Sequence, residues 1–194
     1  MEENMNKEGD RVRSETRALK RLIAATLAQH KPRYHGTEPR ALLLLEPNCS
    51  GLPAALIEDN VLEPVDKVIW LVLMSCACQD DGVTLLPSHR ELARRANVTA
   101  RQTVSRSLSI LRCRRWLTVC LTSWRKGGQR KGSAYALHAT PLRIADTIYL
   151  DPHYKSFLED LSDQHSGRVQ KVASVVFGQI SHQADGDDRS RIAL

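Results

Sequence analysis

The run PSHRELARRANVTARQTVSRSLSILRCRR, residues 87–115, and the run WLTVCLTSWRKGGQRKGSAYALH, residues 116–138, decide the fold of this chain. Ser88 stands three residues ahead of Glu91, the spacing of a capping box, and Leu92, Ala93 and Ala96 give the helix it opens an inward face. Asn97-Val98 supplies a turn. Thr99 is expected to cap the next helix, in which Val104, Leu108 and Leu111 recur at core spacing while Arg101, Gln102, Ser105 and Arg106 face away. Two β-rich runs follow, Trp116 to Leu121 and Ala134 to His138. The loop between them holds Arg125, Lys126, Gly127, Gly128, Gln129, Arg130, Lys131 and Gly132, too long for a tight hairpin and too cationic for a core.

Charge concentrates in the same stretch. From Leu85 to Thr140 the bases are Arg90, Arg94, Arg95, Arg101, Arg106, Arg112, Arg114, Arg115, Arg125, Lys126, Arg130 and Lys131, and the only acid is Glu91. Residues 1–60 carry 9 basic and 9 acidic side chains, 61–140 carry 13 and 5, and 141–194 carry 6 and 8, so the net +6 resolves into 0, +8 and −2. Like charge at this density repels itself, and a polyanionic partner is the physical reason to keep it. An aromatic share of 5% argues against a stacking platform for single-stranded nucleic acid.

Outward from this centre, residues 1–10 are polar and read as a disordered arm. Residues 11–63 read as an N-terminal helix and connector. Leu19, Leu22, Ile23 and Thr26 or Leu27 recur at helical spacing to about His30, where Lys31-Pro32 ends the helix. Its other face carries Arg13, Arg17, Lys20 and Arg21, and the helix is either packed on the body or an arm for dimerisation or the DNA backbone. Leu42 to Leu45, bounded by Pro39 and Pro47, is a strand or a buried extended segment, and Pro47, Pro53 and Pro64 mark a connector. Asp66 to Gln79 is a strongly apolar helix, Asp80-Asp81-Gly82 its turn, and Val83 to Leu86 a short strand. Beyond Pro141 a helical extension over 141–180 is expected. Leu150-Asp151-Pro152 opens one helix with Tyr154, Phe157, Leu158 and Leu161 inward, a second covers Gly167 to Ile180, and 181–194 form a loose tail.

The helix order, the caps at Ser88 and Thr99 and the cationic hairpin resemble the winged helix-turn-helix family over residues 64–140. The resemblance implies a mainly α fold with a small β-hairpin, flanked by N- and C-terminal helical extensions, that binds double-stranded DNA. It places Thr99, Ala100, Arg101, Gln102, Thr103, Ser105 and Arg106 on the recognition-helix surface in the major groove, and Arg125, Lys126, Arg130 and Lys131 in the wing. Ser88 and His89, at the start of the preceding helix, join this DNA-binding set, His89 as a phosphate or solvent contact. The chemistry agrees: Arg bonds two acceptors on guanine, Gln pairs with adenine, and hydroxyls suit phosphates. The order of segments from Leu42 through the Leu150-Asp151-Pro152 helix also resembles the replication-type proteins of bacterial pathogenicity islands and integrating conjugative elements, whose members are longer than this chain. That resemblance implies a role in replication, maintenance or transcriptional control on a mobile element, with replication or partition proteins as partners. A twofold homodimer is expected because a single recognition helix covers too few base pairs and the helices over 11–30 and 153–180 have apolar faces left over beyond the winged core.

Other function classes fare poorly. A phosphate-binding loop over Gly127 to Ser133 would need a lysine after its second glycine, but Lys131 precedes Gly132 and Ser133 follows it directly, so nucleotide hydrolysis is not expected. Cys76 and Cys78, one residue apart on a helix, point to different faces, and five cysteines in mostly apolar runs fit reduced core thiols better than disulfides or a metal centre. The seven histidines show no hydrolase-like pairing with carboxylates, and no cofactor is expected. Trp70 and Trp116 read as core; Trp124 is a packing plug or a sugar contact. The most apolar run, Val68 to Cys78, is about half the length a membrane span needs, and with no signal peptide expected the location is cytoplasmic. The rival function is a winged-helix module that recruits a partner protein.

Overall fold

The computed structural model describes residues 14–29, 40–44, 52–79, 83–123, 131–164 and 167–192. The expected polar arm, the Asp80-Asp81-Gly82 turn and the loop 124–130 lie outside them. The chain is mainly helical with one small sheet. In order run α1 (Ser14–Gln29), β1 (Arg40–Leu44), α2 (Ala54–Glu58), α3 (Pro64–Gln79), β2 (Val83–Leu85), α4 (His89–Arg95), α5 (Arg101–Cys113), β3 (Leu117–Ser123), β4 (Lys131–Leu137), α6 (Ile144–Leu150), α7 (Tyr154–Gln164) and α8 (Arg168–Ile192).

The sheet exceeds the expected hairpin. Its order is β2-β1-β4-β3, with β1 antiparallel to β2, parallel to β4, and β3 antiparallel to β4. The run Ala41-Leu42-Leu43-Leu44 is apolar throughout because both of its faces are covered, as is usual for a strand with a parallel neighbour. Leu42 and Leu44 join the main core with Leu56, Ile69, Trp70, Leu73, Leu92, Val104, Leu111 and Leu137. Ala41 and Leu43, in register with Ala134 and Ala136 of β4, face the other way onto Ile23, Cys120 and Leu150. The helices α1 and α6 therefore roof one side of the sheet, and the remaining helices pack on the other.

Several boundaries differ from those expected. Among the described side chains of α1 the buried ones are Thr16 and Ile23, with Leu19 half-buried, whereas Leu22, expected inward, is 58% exposed; those of Thr26 and Leu27 lie outside the described residues. Arg17, Lys20 and Arg21 are exposed, and Lys20 lies 4.4 Å from the Tyr149 ring while its ammonium donates to the Tyr149 carbonyl at 3.1 Å, so α1 is tied to the body. Pro64 occupies the first turn of α3, where its missing N–H costs nothing, and Asp66 accepts the Glu63 N–H at 2.9 Å. The helices α2 and α6 were not expected. Helix α8 runs on to Ile192 where a loose tail was expected; no proline interrupts 168–192.

Tyr154, Leu158, Leu161, Val169, Ala173, Val176 and Ile180 of α7 and α8 share the main core. At its centre Trp70 and Trp116 meet edge to face, centroids 6.1 Å apart at 79°. The Trp70 indole N–H donates to the His138 carbonyl at 3.2 Å, and the Trp116 N–H to Asp59 Oδ2 at 3.0 Å.

The thiols of Cys113 and Cys120 are buried, and burial pushes each up to about 12, so both stay protonated as core groups; Cys78 is exposed. His138, with Nε2 2.9 Å from Thr118 Oγ1, is pushed by burial down to about 3. The folded ring therefore stays neutral while the unfolded ring takes a proton below its ordinary 6.5. From that pH down to about 3 the unfolded chain binds the extra proton, and stability should fall by about 1.4 kcal/mol per pH unit. Urea melts at stepped pH are expected to show this slope in the wild type and a shallower one in His138→Gln.

Candidate nucleic-acid interface

Helix α4 begins as its sequence dictates: Ser88 is the N-cap and its hydroxyl accepts the Glu91 N–H at 3.2 Å. The reciprocal arm of a capping box is not made. The Glu91 carboxylate instead takes Arg94 Nε at 3.0 Å and Nη2 at 2.7 Å, and Arg95 Nε at 2.7 Å. The bonds from Arg94 and then Arg95 hold the Glu91 carboxyl down to about 2. Arg95 also donates to Cys76 Sγ at 3.2 Å.

The turn into α5 is a Schellman motif. The Val98 N–H bonds the Ala93 carbonyl at 2.8 Å and the Asn97 N–H that of Arg94 at 3.3 Å, with Asn97 at φ 54°, a left-handed conformation asparagine tolerates. Thr99 is not the cap it was expected to be. Ala100, at φ −97° and ψ 123°, is the N-cap and makes no side-chain cap bond, because the extended residue that precedes the helix falls one position later.

Helix α5 is sharply two-sided. Val104, Ser107, Ile110 and Leu111 are buried, and Thr103 and Leu108 half-buried. Arg101, Gln102, Ser105 and Arg106 form one exposed arc over the first two turns; neither arginine has an ion-pair partner among the described residues. Thr99 and Ala100, which lead into the arc, are exposed, as is Ser88 at the start of α4, and His89 is half-buried. Lys131 opens β4 with its side chain outside the described residues, where Arg125, Lys126, Arg130 and Trp124 also lie.

The arc stops where α7 begins. Arg112 falls on the same side of α5, but it donates to buried Asp151 through Nη2 at 2.6 Å and Nε at 3.1 Å and lies 3.7 Å over the Phe157 ring. Arg114 is likewise occupied, bonded to Asp59 Oδ1 and Oδ2 at 3.1–3.2 Å. Burial alone would raise the Asp59 carboxyl, but the Trp116 indole and the Arg114 charge more than offset it and hold it below the ordinary range. Arg115, at φ 63°, closes a second Schellman turn through Trp116 N–H to the Leu111 carbonyl at 2.9 Å, and its Nε donates to the Leu142 carbonyl at 2.7 Å. Three of the cations that weighted the sequence toward a polyanion are thus internal struts. Arg94 and Arg95, counted among the same cations, share Glu91 as an ion-pair partner, which their spacing of three and four residues from it allows on one helix face.

Comparison with family models, with curated proteins and with solved structures finds no match to this chain. No helix among the described residues is long and apolar enough to cross a membrane.

The two caps separate cleanly by mutation. Ser88→Ala should cost about 1 kcal/mol of unfolding free energy, whereas Thr99→Ala should stay within about 0.5 kcal/mol of wild type, both read from denaturant melts.

Proposed function

We propose that the protein binds double-stranded DNA in the manner of a winged helix-turn-helix protein, laying the exposed arc of α5 in the major groove. The observation that carries this is the arc itself: Arg101, Gln102, Ser105 and Arg106 stand together, exposed, on the first two turns of a helix whose opposite side is core. Such proteins read base edges with the N-terminal part of the recognition helix, and the residue types match the acceptors and donors of guanine and adenine. The order α3, β2, α4, α5, β3, β4 supports the same fold type, with β1 as an additional strand between β2 and β4. The loop 124–130 carries Arg125, Lys126 and Arg130 and, with Lys131, would follow the phosphate backbone as a wing.

A twofold dimer belongs to the proposal because one recognition helix covers few base pairs. The apolar faces of α1, α7 and α8 were expected to be left over for it. Through Ile180 they are largely spent inside, at Ile23, Tyr154, Leu158, Leu161, Val169, Ala173 and Val176, so they do not argue for the dimer. A setting on a mobile element, in replication, maintenance or transcriptional control, rests on the sequence resemblance alone.

The test compares Arg101→Ala and Arg106→Ala on a selected duplex and on scrambled duplexes. Loss of a bidentate base contact should cost about 1–3 kcal/mol on the selected duplex and far less on the scrambled ones. Arg112→Gln should lower the melting temperature and leave the ranking of duplexes unchanged. Equal weakening by the two α5 variants on all duplexes would make those arginines phosphate contacts, and no retention of any duplex at low salt would favour the protein-recruiting module.

A further inference from the structure

The ion-pair cluster on α4 has a shape that goes beyond helix stability. One carboxylate, Glu91, is shared by two guanidiniums, with both of its oxygens taken by Arg94. The Arg94 side chain is 69% exposed, so the pair stands in solvent, where an isolated salt bridge contributes little to folding. Arg94 also borders a recess of about 230 Å³ lined by Ala93, Asn97, Val98 and Thr99, which lies between the end of α4 and the start of α5. A guanidinium fork that fits a carboxylate fits a phosphate in the same way, through two parallel N–H bonds.

We propose that this recess takes one phosphodiester of a DNA duplex, held by Arg94, and that Glu91, which also ties Arg95, occupies the Arg94 donors until the phosphate displaces it. The inference rests on the DNA-binding function proposed above and names α4 as its backbone anchor. Arg94 and Arg95 lie one Schellman turn from the α5 arc, so a phosphate seated there would fix how the arc sits relative to the backbone. Thr99, no longer needed as a cap, lines the recess with its hydroxyl available as a further donor. Glu91 would then act as a counter-charge: exchange of its carboxylate for phosphate on Arg94 costs the two bonds that Arg94 already makes to it, so weak, delocalised backbone contacts are penalised. With Glu91 present the three residues contribute a net charge of +1 to the interface; without its charge they contribute +2.

Glu91→Gln tests this while leaving the Ser88 cap in place, because that cap is made to the Glu91 backbone N–H. Removing one negative charge at a phosphate should steepen the slope of log affinity against log salt by about 0.9, equivalent to about eightfold tighter binding at 0.1 M than extrapolation from 1 M gives for wild type. Arg94→Gln should make the slope shallower by about the same amount, on selected and scrambled duplexes alike, and Arg95→Gln, whose side chain is not part of the recess, by less. Far-ultraviolet circular dichroism checks that all three variants keep the wild-type helix content, and Lys155→Gln, an exposed cation on α7, serves as the charge-matched control and should leave the slope unchanged. If wild type binds duplexes but the slope does not respond to Arg94→Gln or Glu91→Gln, or responds equally to Lys155→Gln, the recess is not a phosphate site and the DNA-binding function stands without it. If wild type retains no duplex at low salt, both fail together.

Discussion

The Asp59 carboxylate is the contact on which the placement of α5 depends. It receives the Trp116 indole N–H, the Arg114 guanidinium and the Val61 amide, and so joins α2, the end of α5 and the start of β3 in one buried node. A buried carboxylate is tolerable only when its lone pairs are satisfied in this way, and losing one partner of such a set is far more costly than its net contribution suggests. Trp116 in turn meets Trp70 of α3 edge to face, so the last turn of α5 is held from three directions. The Schellman turn at Arg115 then reverses the chain into the sheet without a loop. A helix anchored in this way at its C-terminal end holds its exposed first two turns in a set orientation on the core, the pre-organisation that the proposed base recognition requires.

Rigidity is obtained partly with charge. Arg112, Arg114 and Arg115 are drawn inward to Asp151, Asp59 and the Leu142 carbonyl, and two of their three partners are acids from outside the basic stretch. The electrostatic excess counted along the sequence is therefore larger than the excess displayed on the surface. Among the described residues, what remains displayed of that stretch is concentrated on the first turns of α5 and on α4, next to one shared carboxylate. The distribution favours a partner that touches the two helices across their turn.

The elements with strong local signals were legible in the sequence. Ser88 with Glu91 announced α4, and the spacing of Val104, Leu108 and Leu111 announced both α5 and the arc opposite it. The signals failed where tertiary partners decide. Nothing local marks Arg115 for positive φ, since neither glycine nor asparagine stands there, and the position follows from its bonds to Leu142. Leu42 and Leu43 could be seen to be buried but not to lie between β2 and β4, because a parallel pairing with residues some ninety positions onward leaves no trace in the run itself. The exposure of Leu22 has the same origin: helical spacing fixes a face, and the sheet surface offered to α1 fixes how wide that face is. Which arginines are struts was equally hidden, since Asp59 and Asp151 lie 55 and 39 residues from the cations they hold.

The most direct measurement is amide chemical-shift mapping of the protein during titration with duplex DNA. The amides of Arg94 to Arg106 should shift together and saturate together, while those of α7 and α8, through Ile180, stay in place. Shifts confined to α1 or to α7 and α8, with the α5 amides unmoved, would contradict the assignment of the exposed arc as the surface that meets DNA.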